Sequence, residues 1–211
     1  MALATYSDLK TAITDWQARN DLSTKADDFI DLAEAFFNVK FRQMQMEKED
    51  TMVTVADTAT VNLPSDYLAM IKLCISDDPS PLELVSLKFI DDRYQKDLRD
   101  RPRVYAFNFD EGTPRIKLGA TPDAVYTINI NYFYGIPALS DSNTTNWLLT
   151  KFPNLYLSGC LYEACKYIKD FEQAALFASE VNTLLTVFED SGRKDRVSQQ
   201  RVNAQVIRNV V

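Results

Sequence analysis

The sequence predicts an α+β fold: a helical bundle core of two N-terminal and two C-terminal helices, a β-rich insertion between them, and an extended C-terminal tail. Two changes of pattern carry this reading. Apolar residues recur at helical intervals before residue 50 and again after about residue 147, whereas the stretch between alternates with a period of two and is rich in β-branched and aromatic residues. A third observation, a charge reversal near residue 193, sets off the tail. The expected division is 1–50 for the N-terminal helices, 51–139 for the insertion, 140–192 for a helical hairpin packing with 1–50, and 193–211 for the tail.

The elements follow in order. Thr5 and Asp8 have capping-box spacing, and Leu9, Ile13 and Trp16 recur at helical intervals, so a short amphipathic helix opens the chain. Thr24 and Asp27 read as a second start, before a face of Phe29, Ala33, Phe36, Phe37, Phe41 and Met44. Val53 and Val55, then Val61 and Leu63, alternate around "ADTA" and predict a hairpin. "LPSDYLAMIKLCIS" gives a turn and strand, and "PLELVSLKFIDDRYQKD" a short strand passing into a short helix near Leu87. "RVYAFNFD", "RIKLGATPD" and "AVYTININYFYG" supply three further strands. Asn143, Thr144 and Thr145 are candidate caps before Trp147. Leu157, Leu161, Ala164, Cys165 and Ile168 form one helical stripe. Ala174, Ala178, Val181, Leu185 and Phe188 form another, started by a capping box from Asp170 to Gln173. The two helices meet at "KDFEQ" and are expected to pack antiparallel.

Composition narrows the function. The chain has 211 residues and a net charge of −7, which argues against a general nucleic-acid binder. No apolar run is long enough to span a membrane, and "MALATYSDLK" lacks the pattern of a signal peptide, so a cytoplasm-like site of synthesis is expected. There is no histidine, which excludes Ser-His-Asp and Cys-His nucleophilic machinery and any histidine base. Only 5 glycines are present, and none builds a phosphate-cradling loop.

The residues that could still carry chemistry read as structure. Cys160 and Cys165 stand five apart, about 140° around a helix, so they converge neither on a metal nor on a disulfide. Both, with Cys74, are expected in the core. The carboxylate pairs Asp27 and Asp28, Asp91 and Asp92, Asp97 and Asp100, and Glu163 and Asp170 lie among cations or at helix starts, as solvated residues do. The aromatic run at Tyr132–Tyr134 reads as core or interface. No cofactor or metal is expected, and the chain is not read as an enzyme.

The tail is different. From Arg193 to Val211 there are five basic residues and one acidic, a local +4 that leaves −11 for the rest. "SGRKDRVSQQ" is expected to end the last helix, and Val202, Ala204, Val206, Arg208 and Val210 alternate as in a strand. A β-prone terminus without a partner strand in its own sequence points to docking on another chain. Arg201, Val202, Val206, Ile207, Arg208, Val210 and Val211 are its candidate contact residues.

Three segments together resemble a known family: "LPSDYL" at Leu63–Leu68, "NYFYGIPALS", and "TTNWLLTKFPNLYLSGCLYEA". The chain resembles, over about residues 5 to 192, the head-to-tail adaptor (connector, head-completion) proteins of short-tailed bacteriophages. The resemblance implies a structural virion protein, made in the host cytoplasm and placed at the head–tail junction. Twelve subunits would form a ring on the portal protein, closing the head and presenting a platform to the tail tube or nozzle and to tail fibres. Genome DNA would only pass through the lumen. The helical part would build the ring, the β part would face the tail, and the C-terminal segment would reach the portal. Two alternatives stand beside this: a carboxylate-based cell-wall glycan hydrolase of a phage, with Glu163 and Asp170 as its best pair, and an unrelated cytoplasmic helical interaction module.

Overall fold

The computed structural model describes the backbone of residues 3–94, 98–110 and 112–209, and the side chains of these except 109–110 and 193–209. The fold is α+β, and the chain divides into two compact units: Met1–Gln45 with Ile136–Val211, which is helical, and Met46–Gly135, which is β-rich.

In the helical unit, α1 (Tyr6–Gln17) starts at the expected capping box. Thr5 Oγ1 accepts from the Asp8 N–H at 3.2 Å while Asp8 Oδ2 accepts from the Thr5 N–H at 3.0 Å, an arrangement worth about 1 kcal/mol. Leu9, Ala12 and Ile13 are buried, and Ala18 ends the helix in the left-handed region at φ 50°. α2 (Ala26–Lys40) starts without the expected Thr24 cap, because a 3-10 turn over Asn20–Lys25 runs directly into it and leaves no extended residue to serve as one. It buries Phe29, Ile30, Ala33, Glu34 and Phe37, whereas Phe36 lies on its outer side.

α4 (Trp147–Lys151) is capped by Asn146, whose Oδ1 accepts from the Leu149 N–H at 2.9 Å. The expected caps fall short because Asn143 is engaged in a local turn with Ser140. α5 (Pro153–Ile168) ends where Lys169 turns left-handed at φ 63°, and Asp170 then caps α6 (Phe171–Asn209) through the Gln173 N–H at 3.1 Å. α5 packs on α2 and on α6. An aromatic cluster joins the elements, with Phe188 against Phe41 at 4.5 Å, Phe152 at 4.7 Å and Trp147 at 6.2 Å between centroids.

The tail corrects the sequence reading. It is not extended: α6 continues without a break through Asn209, and Arg201, Val202, Val206, Ile207 and Arg208 lie on this helix. Val210 and Val211 fall outside the described residues. The physical reason is that "SGRKDRVSQQ" holds no proline and is rich in Arg, Lys and Gln, all good helix formers, while basic residues near a helix C-terminus favour its dipole. Val202, Val206 and Val210 fit a spacing of four as well as an alternation of two. At 39 residues α6 is about 58 Å long, far longer than α5 with 16.

The β-rich unit contains two sheets. β1 (Glu47–Val53), β7 (Thr127–Tyr134) and β3 (Tyr67–Ile75) form one in the order β1-β7-β3. β2 (Thr60–Asn62), β6 (Thr113–Gly119), β5 (Val104–Asp110) and β4 (Glu83–Leu84) form the other, in that order. The expected hairpin around "ADTA" is therefore not formed: β1 pairs with β7 and β2 with β6. The buried Thr54 keeps the chain beside the start of β7 for one residue more, its N–H bonding Tyr126 O at 2.9 Å and its hydroxyl accepting from the Tyr126 N–H at 2.8 Å. Both sheets contribute to one core, which includes Leu73, Tyr105, Ile116, Leu118, Ile128 and Ile130. On β5 the alternation is plain: Tyr105 enters that core, whereas Val104 and Ala106 face the other way, against Ile90 of α3 (Leu87–Arg93).

Candidate functional site

The cysteines lie in the core, Cys160 and Cys165 on α5 and Cys74 on β3. Cys74, Cys160 and Cys165 are free and buried, and among the described residues no group of His, Cys, Asp and Glu could hold a metal. Burial pushes the thiols of Cys160 and Cys165 above their ordinary range, although a hydrogen bond from the Gln17 amide to Cys165 Sγ at 3.2 Å acts the other way. A thiol held protonated is a poor nucleophile and a poor metal ligand.

The carboxylates are likewise in use. Asp27 meets Lys10 at 2.6 Å and accepts from the Tyr6 hydroxyl at 2.7 Å, and Asp28 pairs with Lys25 at 3.1 Å. Asp91 pairs with Lys117, and Asp100 accepts from the Arg101 N–H at 2.7 Å, whereas Asp97 lies outside the described residues. Glu163 pairs with Lys166 at 2.7 Å and Asp170 caps α6. The last two form no dyad.

The segments that carry the family resemblance become joints. In the β-rich unit, Asp66 and Tyr67 of "LPSDYL" meet Tyr132 of "NYFYG". The Tyr132 hydroxyl donates to Asp66 Oδ1 at 2.8 Å, Lys48 reaches Asp66 Oδ2 at 2.9 Å, and the Tyr67 ring stacks on Tyr132 at 6.0 Å. Burial pulls the Asp66 carboxyl up, but the hydrogen bonds from Lys48 and Tyr132 outweigh it and hold it below the ordinary range.

In the helical unit, Asn146 donates to the Tyr156 hydroxyl at 3.2 Å, and that hydroxyl donates to the buried Glu34. The Leu139 N–H also donates to Glu34, at 2.9 Å. Glu34 is the polar residue that sequence reasoning missed, though it occupies the apolar stripe of Ile30, Phe37 and Phe41 at spacings of four, three and four. A carboxylate at a stripe position was the signal.

Two surface features remain for interaction. A cavity of about 170 Å³ lies among α2, α5 and α6, lined by Ala33, Phe36, Lys40, Tyr162, Glu163 and Val181. Beside it Leu32, Phe36 and Val39 form an exposed apolar row on α2, with Val39 77% exposed, and Leu176 and Val187 lie exposed eleven residues apart on α6. Large apolar side chains at helical spacing facing water mark an interaction surface. No helix among the described residues is long and apolar enough to cross a membrane.

No curated protein matches the chain. The family model described as SU10 adaptor protein matches residues 4–206, spanning the helical unit and the β-rich unit alike. A match over nearly the whole length shows the family, and the chain belongs to the SU10 adaptor proteins, a family of phage adaptors.

Proposed function

We propose that this phage adaptor is a structural protein of the virion neck, with twelve copies forming a ring between the portal protein and the tail tube or nozzle. The ring closes the DNA-filled head and offers the tail its platform. The observation that carries this reading is the family match over residues 4–206. The exposed apolar rows on α2 and α6 support it, because a ring buries such surfaces between neighbours. The helical core of two N-terminal and two C-terminal helices then builds the ring, and the β-rich unit faces tail components. Residues 193–211, with Arg201, Val202, Val206, Ile207, Arg208, Val210 and Val211 as contact residues, dock on the portal, their net +4 suiting an acidic surface.

Electron microscopy of the purified protein with its portal is the test. A twelve-fold ring on the portal, from a protein that is monomeric alone, is the expected result. Absence of any ring or portal complex would overturn the proposal in favour of an interaction module of another kind.

A further inference from the structure

The chain re-enters the helical unit through two consecutive residues fixed in different places. Gly135 closes the β-rich unit, with its N–H on Asp66 O at 2.9 Å. Ile136 opens the return into the helical unit, with its N–H on Asn38 Oδ1 at 2.8 Å. One turn earlier on α2, Glu34 takes the Leu139 N–H, and Asn146 takes hold of the same segment from its other end, donating to Pro137 O at 2.9 Å. Residues 136–146 are thus a strap held by side chains of α2, by its own Asn146, and through Tyr156 by α5.

We infer that this strap is a latch whose hold on α2 is set by the charge of Glu34: neutral Glu34 keeps it closed, and ionised Glu34 loosens it. The groups facing the carboxyl make the argument. α2 contributes Asp31, which repels a second negative charge, and α5 contributes Tyr156 and Cys160. The strap contributes the Leu139 N–H and, through Tyr156, the Asn146 amide. Among the described residues Glu34 is in no ion pair. A buried carboxylate without a cation is expensive, and burial accordingly raises the Glu34 pKa despite its two hydrogen-bond donors.

The strap is the movable side of this cluster. It carries no helix, whereas α2 and α5 are fixed by their own packing. Lifting it lets water reach the carboxylate. The latch therefore regulates how firmly the strap is held on the helical unit.

Hydrogen exchange on the full-length protein, followed by mass spectrometry across a pH series and corrected for intrinsic exchange, tests this. Peptides covering 136–146 should lose protection progressively as pH rises, as linkage to a carboxyl whose pKa is raised in the closed state requires. Peptides of α5 should stay protected. Glu34→Gln should hold the strap closed with no pH dependence. Asn38→Ala should open it at every pH without changing the slope. A strap whose protection does not vary with pH in the wild type, or one that exchanges together with α5, would overturn the inference. So would a Gln variant that follows the wild-type profile. The wild-type profile decides the matter alone should the Gln variant fail to fold.

Discussion

Gly192 on α6 lies directly against the buried side chain of Gln43: a methyl group on the glycine would overlap the amide, with Cδ only 2.7 Å away. A glycine expected to help end a helix is instead where the helix passes another segment closely. Gly192→Ala gains about 1 kcal/mol in helix propensity but must displace a buried amide, so its net effect should be small or unfavourable. In a Gln43→Ala background the obstruction is gone, and the same substitution should stabilise by about 1 kcal/mol. Chemical denaturation of the four proteins gives the coupling, and simple additivity would contradict the contact.

Gly159 makes a stronger case. A Cβ there would stand 2.7 Å from Phe37 Cζ, and that ring is fully buried between Phe41, stacked at 5.3 Å, and Tyr156, edge-on at 5.7 Å. Since the ring has nowhere to move, Gly159→Ala should cost about 1–3 kcal/mol in thermal or urea unfolding despite its better helix propensity.

Acid should act in opposite directions on the two units. The Glu34 pKa is raised on folding, so its contribution is fully present below the unfolded-state value and is lost as pH rises through the folded one. The Asp66 pKa is lowered, so its contribution is present above the unfolded-state value and is lost as pH falls through the folded one. Melting curves on the acid side should show Asp66→Asn removing a loss of stability on acidification, and Glu34→Gln removing a gain.

The thiols offer a chemical check. With Cys160 wholly buried and Cys165 shielded, neither should react with an aromatic disulfide reagent in the native protein at mildly alkaline pH, and both should react once it is unfolded. Cys165→Ala should cost about 1–2 kcal/mol through a small cavity and leave assembly intact.

Truncation separates the tail's conformation from its role. Removing residues 200–211 shortens α6, so helical circular dichroism should fall while the melting temperature stays nearly unchanged. Portal attachment should weaken, with leaking or tailless heads. Undiminished attachment would remove the docking role from this segment.

What could be read from the sequence was what is local. The Thr5–Asp8 box, the join of α5 and α6 at "KDFEQ" with its Asp170 cap, and the period of two in β5 depend on neighbours within a few residues, and each lies where its spacing placed it. Val53 and Val61 misled because pairing is not local: a turn separates them, but their partners are Thr127 and Ile116. The tail misled because its valines fit two periods. Of the interaction surfaces, the row at Leu32, Phe36 and Val39 was hidden by adjacency, since Phe36 and Phe37 read as one apolar face although only Phe37 is buried.

The pairing of Glu47 with Phe133 has a consequence for how such a chain can change. The first and last strands of the β-rich unit run antiparallel as neighbours, so its two ends emerge side by side, about 5 Å apart. A module with adjacent ends is a cassette. Met46–Gly135 can be lengthened, exchanged for another sheet, or reduced to a short turn without asking α2 and α5 to part, since a few residues span the gap. One helical frame can thereby receive different β-rich units, each replaced in a single genetic step.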